Sequence, residues 1–327
     1  MLAAISCGGA APPHSPPTPV ATAHAAAPSP PAPAPAPVPP TAEKHVVFHW
    51  ELNGKHFPLP LVHGTIAGTP TWMMVDTGAN SHVVAGWLAR QVGLPLKKLG
   101  DLGADHAGRT IATFRVDHPK MEIDDWGPAP PGPMLAAEVP AVIEQLGIGA
   151  FVSPQRLVTA DGDGIVLDFQ AGEMRKSDFD DAVHKLGKRG NSISPNGGRV
   201  CRDDASPIQG LSFVLPATVE GRPVDLLVDT GAQRSDLLAT SPTGKALAKR
   251  STANKDQLYA ASGRMTSRTV KGATVSVGDY AVKTDLDLIP GTADPYCPRD
   301  GVVSMDVLRG CVLVLGKTGM AGRCGAH

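Results

Sequence analysis

Trp72-Met-Met-Val-Asp-Thr-Gly-Ala79 is the stretch that decides how this chain reads, because Leu226-Leu-Val-Asp-Thr-Gly-Ala232 repeats its second half 153 positions later. In both places an apolar run of strand character delivers the chain into Asp-Thr-Gly-Ala. Working backward, Phe57-Pro-Leu-Pro60 is echoed by Phe213-Val-Leu-Pro216, and the turn Gly68-Thr-Pro70 by Gly221-Arg-Pro223. Working forward, Leu146-Gly-Ile-Gly149 is echoed by Gly301-Val-Val-Ser304. Gly149 lies 73 positions after Asp76 and Ser304 lies 75 after Asp229. Strands follow both, Gly164-Ile-Val-Leu-Asp-Phe169 and Gly310-Cys-Val-Leu-Val-Leu-Gly316. Two units of like order and length mean one structural lobe used twice.

Within each unit, short apolar runs separated by glycine-marked turns predict an all-β fold with few short helices. One helix is expected over Ala85–Gly93, ended by Gly93 and Pro95, and another over Asp178–Leu186. The expected lobes are residues 45–172 and 208–327, joined by a polar Gly/Asn/Ser-rich connection over 173–207.

Asp76 and Asp229 are the candidate catalytic residues. A buried strand fixes each carboxylate on a rigid base. Gly78 and Gly231 let the chain turn sharply and let an opposite loop approach, and Ala79 and Ala232 suit the same crowding. Two carboxylates brought together cannot both ionise, so one keeps a proton while the other is charged. Such a pair is an acid and a base in one site and calls for no cofactor and no metal.

Competing chemistries find little support. The nucleophile elbow G-x-S-x-G and the zinc motif H-E-x-x-H are absent. His45, His49, His56 and His63 crowd the first strands, with no cysteine or carboxylate pair to complete a metal site, and read as ordinary strand and surface histidines. Asp161-Gly-Asp163-Gly reads as a tight turn, and Gly316-Lys-Thr318 as the end of a strand.

The two Asp-Thr-Gly-Ala elements make the chain resemble the aspartic peptidases over about residues 45–327, the retropepsin-like branch in particular. That resemblance implies two tandem closed-barrel lobes in one chain with the active site in the cleft between them. It also implies that the Thr77 and Thr230 hydroxyls hydrogen-bond across to the opposite loop. Ser304 stands where the family usually has glycine. Hairpins over the cleft are expected at Gly100–Thr113, which lacks the tyrosine of pepsin-like members, and at Ala261-Ser-Gly-Arg-Met265. The implied substrate is an extended peptide or protein segment that adds its backbone to these hairpins. Two other readings suit the same residues: a non-catalytic peptide-binding envelope lipoprotein, and a dimer in which each lobe pairs with its twin. The shared cleft is the reading adopted, with the protein a monomer.

The bulk numbers fit an ordinary two-lobed protein. The chain has 327 residues, 42% of them hydrophobic, and a formal net charge of -1 with 30 basic and 31 acidic residues well mixed, which gives no footprint for nucleic acid. Residues 8–42 are mostly Ala and Pro and read as a semi-rigid tether, so residues 1–44 are set apart from the lobes. Met1-Leu-Ala-Ala-Ile-Ser-Cys7 is similar to the end of a bacterial lipoprotein signal, with Cys7 lipidated, although it lacks a basic n-region. Export to the bacterial envelope is the expectation. Cys201, Cys297, Cys311 and Cys324 all fall in the second half, an even set that predicts two disulfides with three possible pairings.

Overall fold

The Asp-Thr-Gly strands are central strands, and that is why they read as unbroken apolar runs rather than alternating ones. The computed structural model describes residues 44–99, 103–105, 107–187, 192–194, 197–203, 208, 210–254 and 258–325. The expectations for Cys7 and for the Pro/Ala-rich segment lie outside them.

In the first half, Thr69–Val75 pairs antiparallel with Lys55–Ile66 on one side and parallel with Ile148–Val152 on the other. Ile148–Val152 in turn pairs antiparallel with Val83–Ala85, which runs parallel to Met134–Ala137. The second half repeats every step. Arg222–Val228 lies between antiparallel Gly210–Val219 and parallel Gly301–Val303. Gly301–Val303 pairs antiparallel with Asp236–Leu238, which runs parallel to Tyr280–Ile289. Met73, Val75, Leu226 and Val228 are fully buried. Burial of each such side chain contributes about 1.5–3 kcal/mol, which fixes the strand ends that carry the aspartates.

A third sheet joins the halves. Its six strands run in the order His45–Val47, Glu173–Asp178, Asp163–Asp168, Cys311–Gly316, Met320–Cys324 and Ser192–Ile193. The closing hairpins of the two halves meet at its centre, where Val166 faces Val314. The connection expected over 173–207 therefore contributes strands to the structure, Glu173–Asp178 and Ser192–Ile193 here and Arg199–Asp203 at the edge of the second lobe.

Both expected helices are present. Gly86–Gln91 buries Leu88 and Ala89 and ends before Gly93, whose φ of 71° only glycine adopts without strain. Phe179–Leu186 starts on Asp178, whose carboxylate accepts from the Asp181 amide at 2.9 Å. This helix packs Ala182 and Leu186 on Val166, Val312 and Val314 of the joining sheet.

The cysteines pair Cys201–Cys297 and Cys311–Cys324. The first bond ties the edge strand Arg199–Asp203 to the loop before Asp300, and the second crosses neighbouring strands of the joining sheet. Among the described residues no helix is long and apolar enough to cross a membrane.

Candidate active site

Each Asp-Thr-Gly loop begins where its strand can no longer pair. The Asp76 amide donates to the Val152 carbonyl at 2.8 Å, and the Asp229 amide to the Val303 carbonyl at 3.0 Å. Each loop then folds back on its own carboxylate. Asp76 Oδ1 accepts from the Gly78 and Ala79 amides at 2.9 and 3.0 Å, and Asp229 Oδ1 accepts from Gly231 at 2.9 Å.

The glycines are required by the other half of the molecule. A Cβ on Gly78 would lie 2.5 Å from Asp229 Cγ, and one on Gly231 would lie 2.4 Å from Asp76 Cγ. No side chain fits in that space. The loops are packed that closely because Thr77 and Thr230 lock them together. The Thr77 amide donates to Thr230 Oγ1 at 3.0 Å and the Thr230 amide to Thr77 Oγ1 at 3.1 Å. The Thr77 hydroxyl donates onward to the Val228 carbonyl at 2.8 Å, and the Thr230 hydroxyl to the Val75 carbonyl at 2.7 Å. Both threonines are fully buried, so these four bonds satisfy groups that would otherwise be costly to bury.

The lock sets each carboxyl against the glycine of the opposite loop and leaves the Asp76 and Asp229 carboxyls as neighbours. Burial, reinforced by the negative charge of Asp229, raises the Asp76 pKa from 3.8 to about 8 against the lowering pull of the Gly78 and Ala79 amides. The proton belongs to the pair rather than to one residue. The Asp76 carboxyl is thereby held toward its protonated form.

Several supporting residues were not legible in the repeat. Because the Val152 and Val303 carbonyls hold equivalent bonds, Ser304 corresponds to Ser153 and not to Gly149. Serine thus stands beside the Asp-Thr-Gly loop in both lobes, and Ser304 is no lone departure. Both are fully buried. The Ser153 amide donates to His82 Nδ1 at 3.1 Å, and the Ser304 amide to Ser235 Oγ at 3.0 Å. His82 and Ser235 each lie six positions after a site aspartate, a spacing the sequence did offer. Burial, with the nearby Arg156 charge, depresses the His82 pKa to about 3, so His82 is neutral and free to accept. Beneath the loops Gln155 aims its amide nitrogen at the carbonyls of Thr77, Ala79 and Leu211. Asp306 does similar work in the second lobe, accepting from the Ser235 amide and hydroxyl at 3.0 and 2.6 Å. The Ala232 carbonyl accepts from the Met305 amide at 3.1 Å.

Two hairpins lie at the expected places, Gly103–Ala104 with Thr110–Ile111 and Leu258–Ala260 with Gly263–Met265. Elsewhere, His45 pairs with Glu173 and His63 with Asp124. Asp161 lies in a turn closed by the Asp163 amide on the Ala160 carbonyl. Among the described residues no three His, Cys, Asp or Glu side chains are grouped to hold a metal ion.

Two homologous lobes presenting one carboxyl each to a shared site define the aspartic class of peptidase architecture. A family model described as "Aspartyl protease" matches residues 62–165 and 215–307, one stretch in each lobe and together more than half of the chain. The chain belongs to the aspartyl protease family. Among solved structures it is similar to an aspartic proteinase from Irpex lacteus, at 8% identity and a TM-score of 0.44, over 87% of this chain and 98% of that one. No curated protein matches.

Proposed function

We propose that this protein is an aspartic endopeptidase that hydrolyses peptide bonds with a water activated by the Asp76/Asp229 pair. The observation that carries the reading is the interlocked pair of Asp-Thr-Gly loops, which makes neighbours of the Asp76 and Asp229 carboxyls. The ionised carboxylate takes a proton from water, and the resulting hydroxide adds to the scissile carbonyl carbon. The protonated partner donates to the carbonyl oxygen, so the tetrahedral intermediate forms without separated charge. On collapse the protonated carboxyl gives its proton to the departing amine while the other carboxylate takes one from a hydroxyl of the intermediate, so the C–N bond breaks, a carboxylic acid forms and the pair regains its single proton. Thr77, Gly78 and Ala79, with Thr230, Gly231 and Ala232, hold the two carboxyls at working distance.

The substrate is an extended peptide or protein segment lying beneath the two hairpins. Two disulfides suit an oxidising compartment, and we place the enzyme in the bacterial envelope, anchored through a lipid on Cys7 and spaced from it by the Pro/Ala tether. The test is digestion of unfolded casein by the wild-type protein and by Asp76→Asn and Asp229→Asn. Cleavage by the wild type that both variants lose supports the dyad. Equal cleavage by all three removes it, and no cleavage by any favours a peptide-binding role for the same cleft.

A further inference from the structure

The repeat makes the two sides of the cleft directly comparable, and they differ. Leu238 lies nine positions after Asp229 and faces Ile289 across a parallel pair; its first-lobe counterparts are Ala85, nine after Asp76, and Ala137. In the second lobe Leu238, Ile289 and Met265 are covered by Ala107, from the tip of the first-lobe hairpin, in one buried apolar cluster. The Ala107 carbonyl also accepts from the Thr292 amide at 3.4 Å. Gly291 permits this approach, since a Cβ there would lie 2.4 Å from that carbonyl oxygen. On the first-lobe side the tip of the second hairpin leaves space instead. A cavity of about 200 Å³ remains there, lined by Thr110, Ile111, Glu138, Val139, Pro140 and Ser262 among others. That is below the roughly 300–1,000 Å³ of a small-molecule site and of the size of one side chain. Its carboxylate, Glu138, is engaged by Arg90 at 2.6 and 3.1 Å, and Thr110 and Ser262 stand beside Ile111, Val139 and Pro140, so the lining favours an uncharged group.

The two hairpin tips are also bolted together. The buried Asp105 shapes the first tip, with Oδ1 accepting from the Ala107 and Arg109 amides at 3.0 and 2.9 Å. Its Oδ2 accepts from Arg109 Nε at 3.0 Å and from the Ser262 hydroxyl of the other hairpin. Arg109 completes the crossing by donating to the Arg264 and Gly263 carbonyls at 2.9 and 3.3 Å.

We propose that Ala107 fills the second-lobe side-chain pocket of the closed cleft, held there by the Asp105–Arg109–Ser262 latch, so that only the first-lobe pocket is open. Resting on the peptidase reading, this makes the substrate a peptide with a larger uncharged residue on the first-lobe side of the cut and a small residue on the other. Release of the latch admits larger residues on the second-lobe side.

Two measurements test it. Amide hydrogen exchange needs no activity: the Ala107 and Arg109 amides are expected to be protected in the wild type. Asp105→Asn keeps an oxygen for the tip turn but loses the acceptor for Ser262, and with Ser262→Ala it should speed tip exchange at least about tenfold. Strand 226–228 serves as the unchanged control. Fast exchange at the tip in the wild type, or no change in the variants, overturns the latch. Cleavage of a peptide library should show one side that accepts larger uncharged residues and one small-residue side, with only the second relaxed at least about tenfold in Asp105→Asn/Ser262→Ala. Equal tolerance on both sides, or a profile the variant leaves unchanged, overturns the pocket assignment. Absence of all cleavage overturns the peptidase reading and the specificity with it, while exchange still judges the latch.

Discussion

Thr77 and Thr230 each accept the other's backbone amide on a side-chain oxygen, at 3.0 and 3.1 Å, across the boundary between two homologous lobes. Each hydroxyl also donates into the strand that delivers the opposite aspartate. The geometry of the site is thus built from contacts that neither lobe has alone.

Removing either hydroxyl strands two buried partners. Thr77→Val or Thr230→Val should each cost about 1–3 kcal/mol, seen in urea unfolding, while Thr→Ser should recover most of it. The double variant should lose less than the sum, because both side chains belong to one network.

Asp76→Asn and Asp229→Asn should each lower cleavage at least about a thousandfold, since each removes the shared acid and base together. Both should fold normally, with unchanged circular dichroism.

The same dyad sets a pH dependence of stability. Unfolded Asp76 ionises near 3.8, whereas the folded pair holds its proton up to about 8. The folded state binds more protons in that window, so the dyad's contribution to stability falls as pH rises through it and is flat above. Asp76→Asn should flatten this slope and be the more stable protein at neutral pH, raising Tm by about 2–4 °C for each kcal/mol recovered. Activity should fall as pH climbs toward the upper pKa of the pair. An activity profile that keeps rising past that region would contradict a one-proton dyad.

Gly231→Ala should keep the fold's outline but slow turnover, because its methyl carbon would sit 2.4 Å from Asp76 Cγ and must displace that carboxyl. A displacement of about 1 Å at reacting groups costs on the order of a hundredfold in rate, which steady-state kinetics on the purified variant would report.

Of the two disulfides, Cys201–Cys297 spans 96 positions and Cys311–Cys324 spans 13. Replacing the first pair by serine should cost about 2–5 kcal/mol and more than replacing the second, since the longer loop regains more freedom when unfolded. Denaturant midpoints of the two double variants compare them directly.

The aspartates, the glycines behind them and the duplicated order of strands could be read directly, because a strand-loop motif is a local pattern and its repetition exposes it. Hairpin positions and both helices were equally local, the first helix being ended by Gly93 and Pro95. Ser153, His82 and Gln155 stayed hidden. The repeat was aligned on Gly149, and only the pairing of strands fixes which carbonyl, that of Val152, receives the Asp76 amide. Segment 173–207 looked like a connection because its strands are polar. Arg175 and Lys176 need burial of only one sheet face.

The sequence alone determined that two like units each end a buried strand in Asp-Thr-Gly-Ala, for that follows from chain order and residue type. Only the tertiary structure decided which cysteines pair, that Thr77 and Thr230 lock the two Asp-Thr-Gly loops together, and that Ala107 of one hairpin packs on Leu238, Met265 and Ile289 of the other lobe. Those outcomes depend on packing between residues as much as 157 positions apart, such as Asp105 and Ser262. Local preference carries no information about which distant surfaces lose least by being buried together.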